Sequence, residues 1–136
     1  MWDTRQKKHK PIYSRPSYNG NIMICFSPDD VYLLASAVDN EVRQYLTVDG
    51  RLQMMMDIDR SGRLDNYTRS YYMNGGDVVI SGSSEQDEIH LNCAHTGAAL
   101  HSGKLFDKRA DDSLYIQSLR GSPHYANNFV LLVNYR

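Results

Sequence analysis

Two stretches of this 136-residue chain match each other at an offset of 46 to 47 positions. Cys25 to Ser36 aligns with Tyr71 to Gly82. Glu41-Val42-Arg43 then aligns with Glu88-Ile89-His90, and Asp49-Gly50-Arg51-Leu52 with Thr96-Gly97-Ala98-Ala99, with one inserted residue near Asp87. Self-similarity at such a period marks architectures that stack one small unit many times. A third, poorer copy starts at Leu114–Leu119, which matches Asn66–Tyr71, and continues through Phe129–Val133. Before the first copy, Met1-Trp2-Asp3 reads as the end of an inner strand, followed by a basic loop and a short strand near Pro11-Ile12-Tyr13. One repeat domain over 1–136 is therefore expected, divided into the end of a repeat (1–20), a repeat (21–62), a second (63–108) and an incomplete one (109–136).

Within each unit the apolar runs are four to six residues long and rich in Val, Ile, Tyr and Leu. They are separated by Ser27-Pro28-Asp29-Asp30, Asp39-Asn40, Asp49-Gly50, Asn74-Gly75-Gly76 and Thr96-Gly97. Gly and Asn accept positive φ, while Pro and Asp open tight turns, so the separators read as turns. No long window carries a helical apolar stripe. The chain reads as all-β, in four-stranded antiparallel units, with strands expected at 22–26, 32–37, 41–46, 51–57, 67–73, 77–81, 88–93, 98–101, 114–119 and 128–135.

Phe26-Ser27-Pro28-Asp29-Asp30 before Tyr32–Ala37, followed by Asp39 and Val42-Arg43, resembles the unit of the WD-repeat, or transducin β-subunit-like, propeller family. Trp2-Asp3 is similar to the dipeptide that names the family. Asn66–Gly75 and Gln117–Gly121 are also similar to a plant-type, transducin-like branch. The resemblance implies a partial β-propeller of about three blades, incomplete at both ends, and a piece of a longer protein whose exposed blade faces would promote self-association. It further implies a hydrogen-bonded set within each blade made by a His, a Ser or Thr, an Asp and a Trp. Ser36 and Asp39 would fill two of those places, whereas Tyr45 and Asn92 stand where Trp would be.

The resemblance implies a non-enzymatic scaffold for other proteins, which uses rim loops and needs no cofactor. Asp29, Asp30, Asn74, Gly75 and Asp77 are the expected partner-binding residues on one rim, with Asp49, Gly50 and Thr96 on the other. Trp2-Asp3-Thr4-Arg5 resembles the end of the box by which some WD-repeat proteins dock on the adaptor of a cullin-RING ubiquitin ligase. There Arg5 would form a bidentate pair and Asp3 would orient its neighbours. The alternative is a blade end that continues into a solvated basic loop.

Charge narrows the partners. Lys and Arg number 15 against 16 Asp and Glu, so no global positive field draws nucleic acid or anionic membrane. Residues 1–16 hold Arg5, Lys7, Lys8, Lys10 and Arg15 against Asp3, which makes that segment +4 and the remainder −5. Such a segment suits an import signal, a phosphate-facing patch or plain solvation, and Tyr13 and Tyr18 beside it offer rings for base stacking. No apolar run approaches the ~20 residues of a membrane helix, and the N-terminus carries no secretory pattern. Cys25 and Cys93 read as reduced, buried thiols in a cytoplasmic or nuclear protein. In that setting the Asn66-Tyr67-Thr68 glycosylation pattern is a chance match.

Catalytic and metal patterns are thin. His90, Cys93, His95 and His101 lack paired zinc knuckles, and strand alternation sends His90 and Cys93 to opposite faces. Ser81-Gly82-Ser83-Ser84 lacks a nucleophile elbow, and hydrolysis by a serine with His95 or His101 is the remaining enzymatic option. Asp29-Asp30, Asp57 with Asp59, and Asp111-Asp112 read as solvated turn residues. Of Met54-Met55-Met56, the first and last are expected in the core and Met55 outside it.

Overall fold

The computed structural model describes residues 1–7, 10–17, 19–105, 114–122 and 128–135. Lys8, Tyr18 and the Asp111-Asp112 pair lie outside them. Strands β1 (Met23–Phe26), β2 (Tyr32–Ser36), β3 (Val42–Leu46) and β4 (Leu52–Met55) form one antiparallel sheet in sequence order. Strands β5 (Thr68–Met73), β6 (Val78–Ser83), β7 (Glu88–Cys93) and β8 (Ala99–Lys104) form a second with the same order. A hairpin of β9 (Leu114–Gly121) and β10 (Phe129–Tyr135) follows. Each expected strand has its counterpart, displaced by at most three residues at an end.

The repeat extends to irregularities. The pairing of β3 with β4 shifts between Gln44 and Tyr45, leaving Gln53 as the extra residue. The pairing of β7 with β8 shifts between Leu91 and Asn92, leaving Leu100 extra. These positions are 47 residues apart in the alignment, so both outer strands carry the same bulge.

Equivalent residues also do equivalent packing. In the first sheet Leu34 and Val42 join Met56, Ile58, Val79 and Ala94 in a buried cluster, with Cys25, Met54 and Tyr72 against it. In the second, Ile80 aligns with Leu34 and packs with Met73, Ile116 and Leu119, with Ile89 beside them. Each sheet thus keeps its apolar face dry against the next one. Strand β6 is enclosed on both sides, Val79 facing back and Ile80 facing forward, which accounts for its unbroken Val-Val-Ile run. Met54 and Met56 take the expected inward places while Met55 is exposed.

Backbone hydrogen bonds lock the first two sheets together. Asp39 N donates to Asn66 O at 2.7 Å, Thr68 N to Ala37 O at 3.2 Å and Asp57 N to Gly97 O at 2.9 Å. Asp39 and Asn40 both have positive φ (54° and 59°) between the bonded Val38 and Glu41, which fits a tight hairpin of the primed type.

Two expectations need correction here. Residues 1–7 and 10–17 contain no strand, because Met1 and Ile12–Tyr13 pair only with each other, through Ile12 N to Met1 O (3.0 Å) and the terminal amine to Tyr13 O (3.1 Å). Without a third strand that pair does not extend into a sheet. Neither thiol is buried: both are half-buried, Cys25 packed against the first core cluster, where burial pushes its pKa up, and Cys93 outside both clusters. Both cysteines are free.

Candidate protein-binding rim

An antiparallel meander sends alternate turns to opposite ends of the sheet. The turns β1–β2 (27–31), β3–β4 (47–51), β5–β6 (74–77) and β7–β8 (94–98) therefore share one rim. Thr47 N donates to Val31 O (2.9 Å), and Ala94 N to Asp77 O (2.8 Å), which ties each pair side by side. The expectation that Asp49, Gly50 and Thr96 occupy the rim opposite Asp29 and Asp77 is thereby overturned. The other rim carries Asp39–Asn40, residues 56–67 and 84–87.

The shared rim is stiffened from within. Ser27 Oγ donates to Asp29 Oδ1, and Val31 N to the same oxygen at 3.1 Å. These bonds, Ser27 foremost, hold the Asp29 carboxyl below its ordinary range. Asp30, Asn74 and Gly75 are all in the left-handed region, with φ of 60°, 52° and 67°. Asn and Asp accept that conformation at low cost and Gly at none. Gly76 (φ 105°) presses against Pro28, to which an added Cβ would come within 3.3 Å, so the two turns interlock across the sheets. Asp77 Oδ1 lies 3.0 Å from His95 Nε2, and that bond raises the imidazole pKa.

Asp29, Gly75, Asp77 and His95 surround one groove of about 160 Å³, floored by Tyr32 and Tyr72. Asn74 and Gly75 also edge a wider hollow of about 340 Å³ beside Cys25, Phe26 and Gly121. The structure thus gathers Asp29, Gly75 and Asp77 at one groove, while Asp30 is on the turn beside it. His95, which the sequence offered only as a metal or hydrolase residue, completes the group, and its pairing with Asp77 across 18 positions follows from the β6–β7 register.

Trp2, Asp3 and Arg5 lie elsewhere. Their segment runs on to Tyr13 and Arg15, which bind the 47–50 turn through Tyr13 Oη to Thr47 O (2.7 Å) and Arg15 Nε to Gly50 O (2.7 Å). It covers the face of the first sheet turned away from the second, beside Ile24, Leu33 and Tyr45. Arg5 spends its fork on Asp3, with Nε to Oδ1 at 2.9 Å and Nη2 to Oδ2 at 3.0 Å. Trp2 is 60% exposed.

Ser36 and Asp39 do not form the shared set that the resemblance implied. Asp39 is buried and accepts from Ser61 N and Oγ, both 2.8 Å, and from Gly62 N at 2.9 Å; Ser36 Oγ is buried with no partner among the described residues. Other polar groups link the sheets instead. Asn40 N donates to Thr68 Oγ1 (2.9 Å), Asn40 Nδ2 to Gln86 Oε1 (2.7 Å) and Tyr72 Oη to Gln44 Oε1 (3.0 Å). Asn92, in the Trp position, donates to Asp57 O and Gly97 O at 2.9 and 3.1 Å. Asn66 is fully buried, which keeps its glycosylation pattern out of reach in the folded chain. Among the described residues no three His, Cys, Asp or Glu side chains gather closely enough to hold a metal ion.

Comparison with solved structures places this arrangement. A chain of the crystal structure of the Mitotic Checkpoint Complex aligns with a TM-score of 0.55 at 17% identity, covering 74% of this chain and 29% of that one. Hsv2 of Kluyveromyces lactis aligns with a TM-score of 0.56 at 10% identity, covering 95% and 44%. Both are WD-repeat propeller proteins. The two complete sheets have the fold of WD-repeat propeller blades.

Protein DWD HYPERSENSITIVE TO UV-B 1 of Arabidopsis thaliana is 52% identical over 134 residues, covering 98% of this chain. The chain spans 17% of that relative's length. No family model matches the chain.

Proposed function

We propose that these blades present a protein-binding rim centred on Asp29, Asp77 and His95, in a cytoplasmic or nuclear protein. The observation that carries this reading is the interlock of two turns from successive blades around one groove, which fixes acidic side chains on a stiff frame. A rigid rim binds with little ordering cost, because its loops are already in place. The test is affinity capture with the wild-type chain and with a D29R/D77R variant whose circular dichroism is unchanged. Loss of a subset of partners supports the rim, and identical partner sets reject it.

A second reading is a substrate receptor of a cullin-RING ubiquitin ligase, docking through Trp2, Asp3 and Arg5. It is supported by the exposed Trp2, by the Trp-Asp-x-Arg spacing and by the letters DWD in the relative's name. Arg5 would have to exchange Asp3 for a group on the adaptor. Coprecipitation with the adaptor decides it, since Arg5→Ala should abolish capture, and an unchanged yield dismisses the receptor role.

A further inference from the structure

Away from the rim just described, a groove of about 360 Å³ opens between the two complete blades, walled by β7, β8 and the segment after β4. Asp57, Asp59 and Glu88 line it. Among the described residues their carboxylates make no ion pair or side-chain hydrogen bond; Lys104 stands opposite Glu88 across the β7–β8 ladder but outside the groove lining, and the arginines nearby are committed elsewhere. Arg43 and Arg60 go to Glu41, at 2.7 and 3.4 Å, and Arg63 goes to Asp65 and Glu85. No Lys or Arg is among the lining residues.

Two further lining residues point to a donor as the missing piece. Asn92 is fully buried, and with Nδ2 fixed on Asp57 O and Gly97 O its Oδ1 is left without a partner. His90 Nε2 is likewise buried and unpartnered. Burial holds the His90 pKa down, against the opposing pull of Glu88 and Asp59, and in the neutral tautomer that carries its proton on Nδ1 the orphaned Nε2 is an acceptor. Buried acceptors without donors are costly, and a ligand that supplies donors recovers that cost.

We infer that this inter-blade groove takes a basic side chain of a partner protein, an arginine in particular, whose guanidinium would face the three carboxylates and donate to the orphaned acceptors of Asn92 and His90. A planar fork with five donors matches several separated acceptors better than a compact ammonium does. The inference rests on the scaffold reading only in that the arginine belongs to a protein; the site is separate from the Asp29–Asp77 rim.

The probe is the peptide Gly-Arg-Gly, titrated into the labelled 136-residue chain and followed by NMR, with Gly-citrulline-Gly as an uncharged match. Saturable shifts at His90 and Asn92 are expected for arginine and not for citrulline, weakening with salt. D59N/E88Q should lower the affinity about tenfold, the effect of losing two partly exposed charge pairs. Equal response to both peptides, unchanged affinity in the double variant, or shifts confined to Asp29 and Asp77 would overturn the groove. The last outcome would leave the rim reading intact, and a failed rim capture with a positive titration would do the reverse.

Discussion

Asp39 shows how a single residue can be legible in kind and not in partner. Its place in a two-residue turn was readable, since Asp tolerates the positive φ it adopts. That its carboxylate is satisfied by Ser61 and Gly62 was not, because those groups belong to a loop 22 positions on whose path is set by blade packing. Burial pushes the Asp39 carboxyl up, but the bonds from Ser61, Gly62 and Arg63 outweigh it and hold the pKa below 3.8. Its stabilisation is therefore complete above pH 3.8 and fades as pH falls through the lower folded value. Asp39→Asn should cost about 1.5–3 kcal/mol in urea unfolding at pH 7, the range for hydrogen bonds to a charged group. His95 moves oppositely: its ion pair with Asp77 is complete below pH 6.5 and is lost as pH rises through the elevated folded pKa. An NMR titration should place the His95 midpoint above 6.5, and Asp77→Asn should bring it back toward that value.

At the scale of elements, the strands were readable because short apolar runs between turn residues leave few alternatives, and the repeat doubled the signal. The bulges at Gln53 and Leu100 were not, since nothing in either residue marks an unpaired position. The rim assignment failed for a reason already contained in the sequence: in a meander, first and third turns must point the same way. Gly97 tests the join between blades. Its φ is 76°, and an added Cβ would lie 2.6 Å from the carbonyl oxygen of Met55, a backbone atom with no rotamer to change. Gly97→Ala should cost about 2–4 kcal/mol, combining left-handed strain with overpacking, and equilibrium unfolding measures it. Gly82→Ala clashes with side-chain atoms of Ile116 rather than with backbone, Cδ1 nearest at 2.6 Å, and involves no left-handed strain, so it should cost less.

At the scale of the molecule, the second blade is covered on both faces, while the outer face of the first is only partly covered by residues 1–15 and the outer face of the hairpin keeps apolar side chains exposed. Val130 and Leu132 on β10 are 72% and 55% exposed, and Ile24 on β1 is 59% exposed. Exposed apolar strands pair with other chains. Sedimentation of the 136-residue chain should show a weight average that rises above the monomer with concentration, and V130K/L132K should lower it. A concentration-independent monomer would contradict this. The face-to-face stacking was legible from the repeat alone, whereas the inter-blade groove was not, because its walls come from Asp57, Glu88 and Leu100, which no local pattern connects.

The double enclosure of β6 bears on how such a sequence can change over generations. An interlocked pair of turn residues such as Pro28 and Gly76 constrains only one contact between two blades. A substitution at Val79 or Ile80 must suit two blades at once, so the centre of this strand should drift slowly and in concert with Leu34, Ile116 and Leu119.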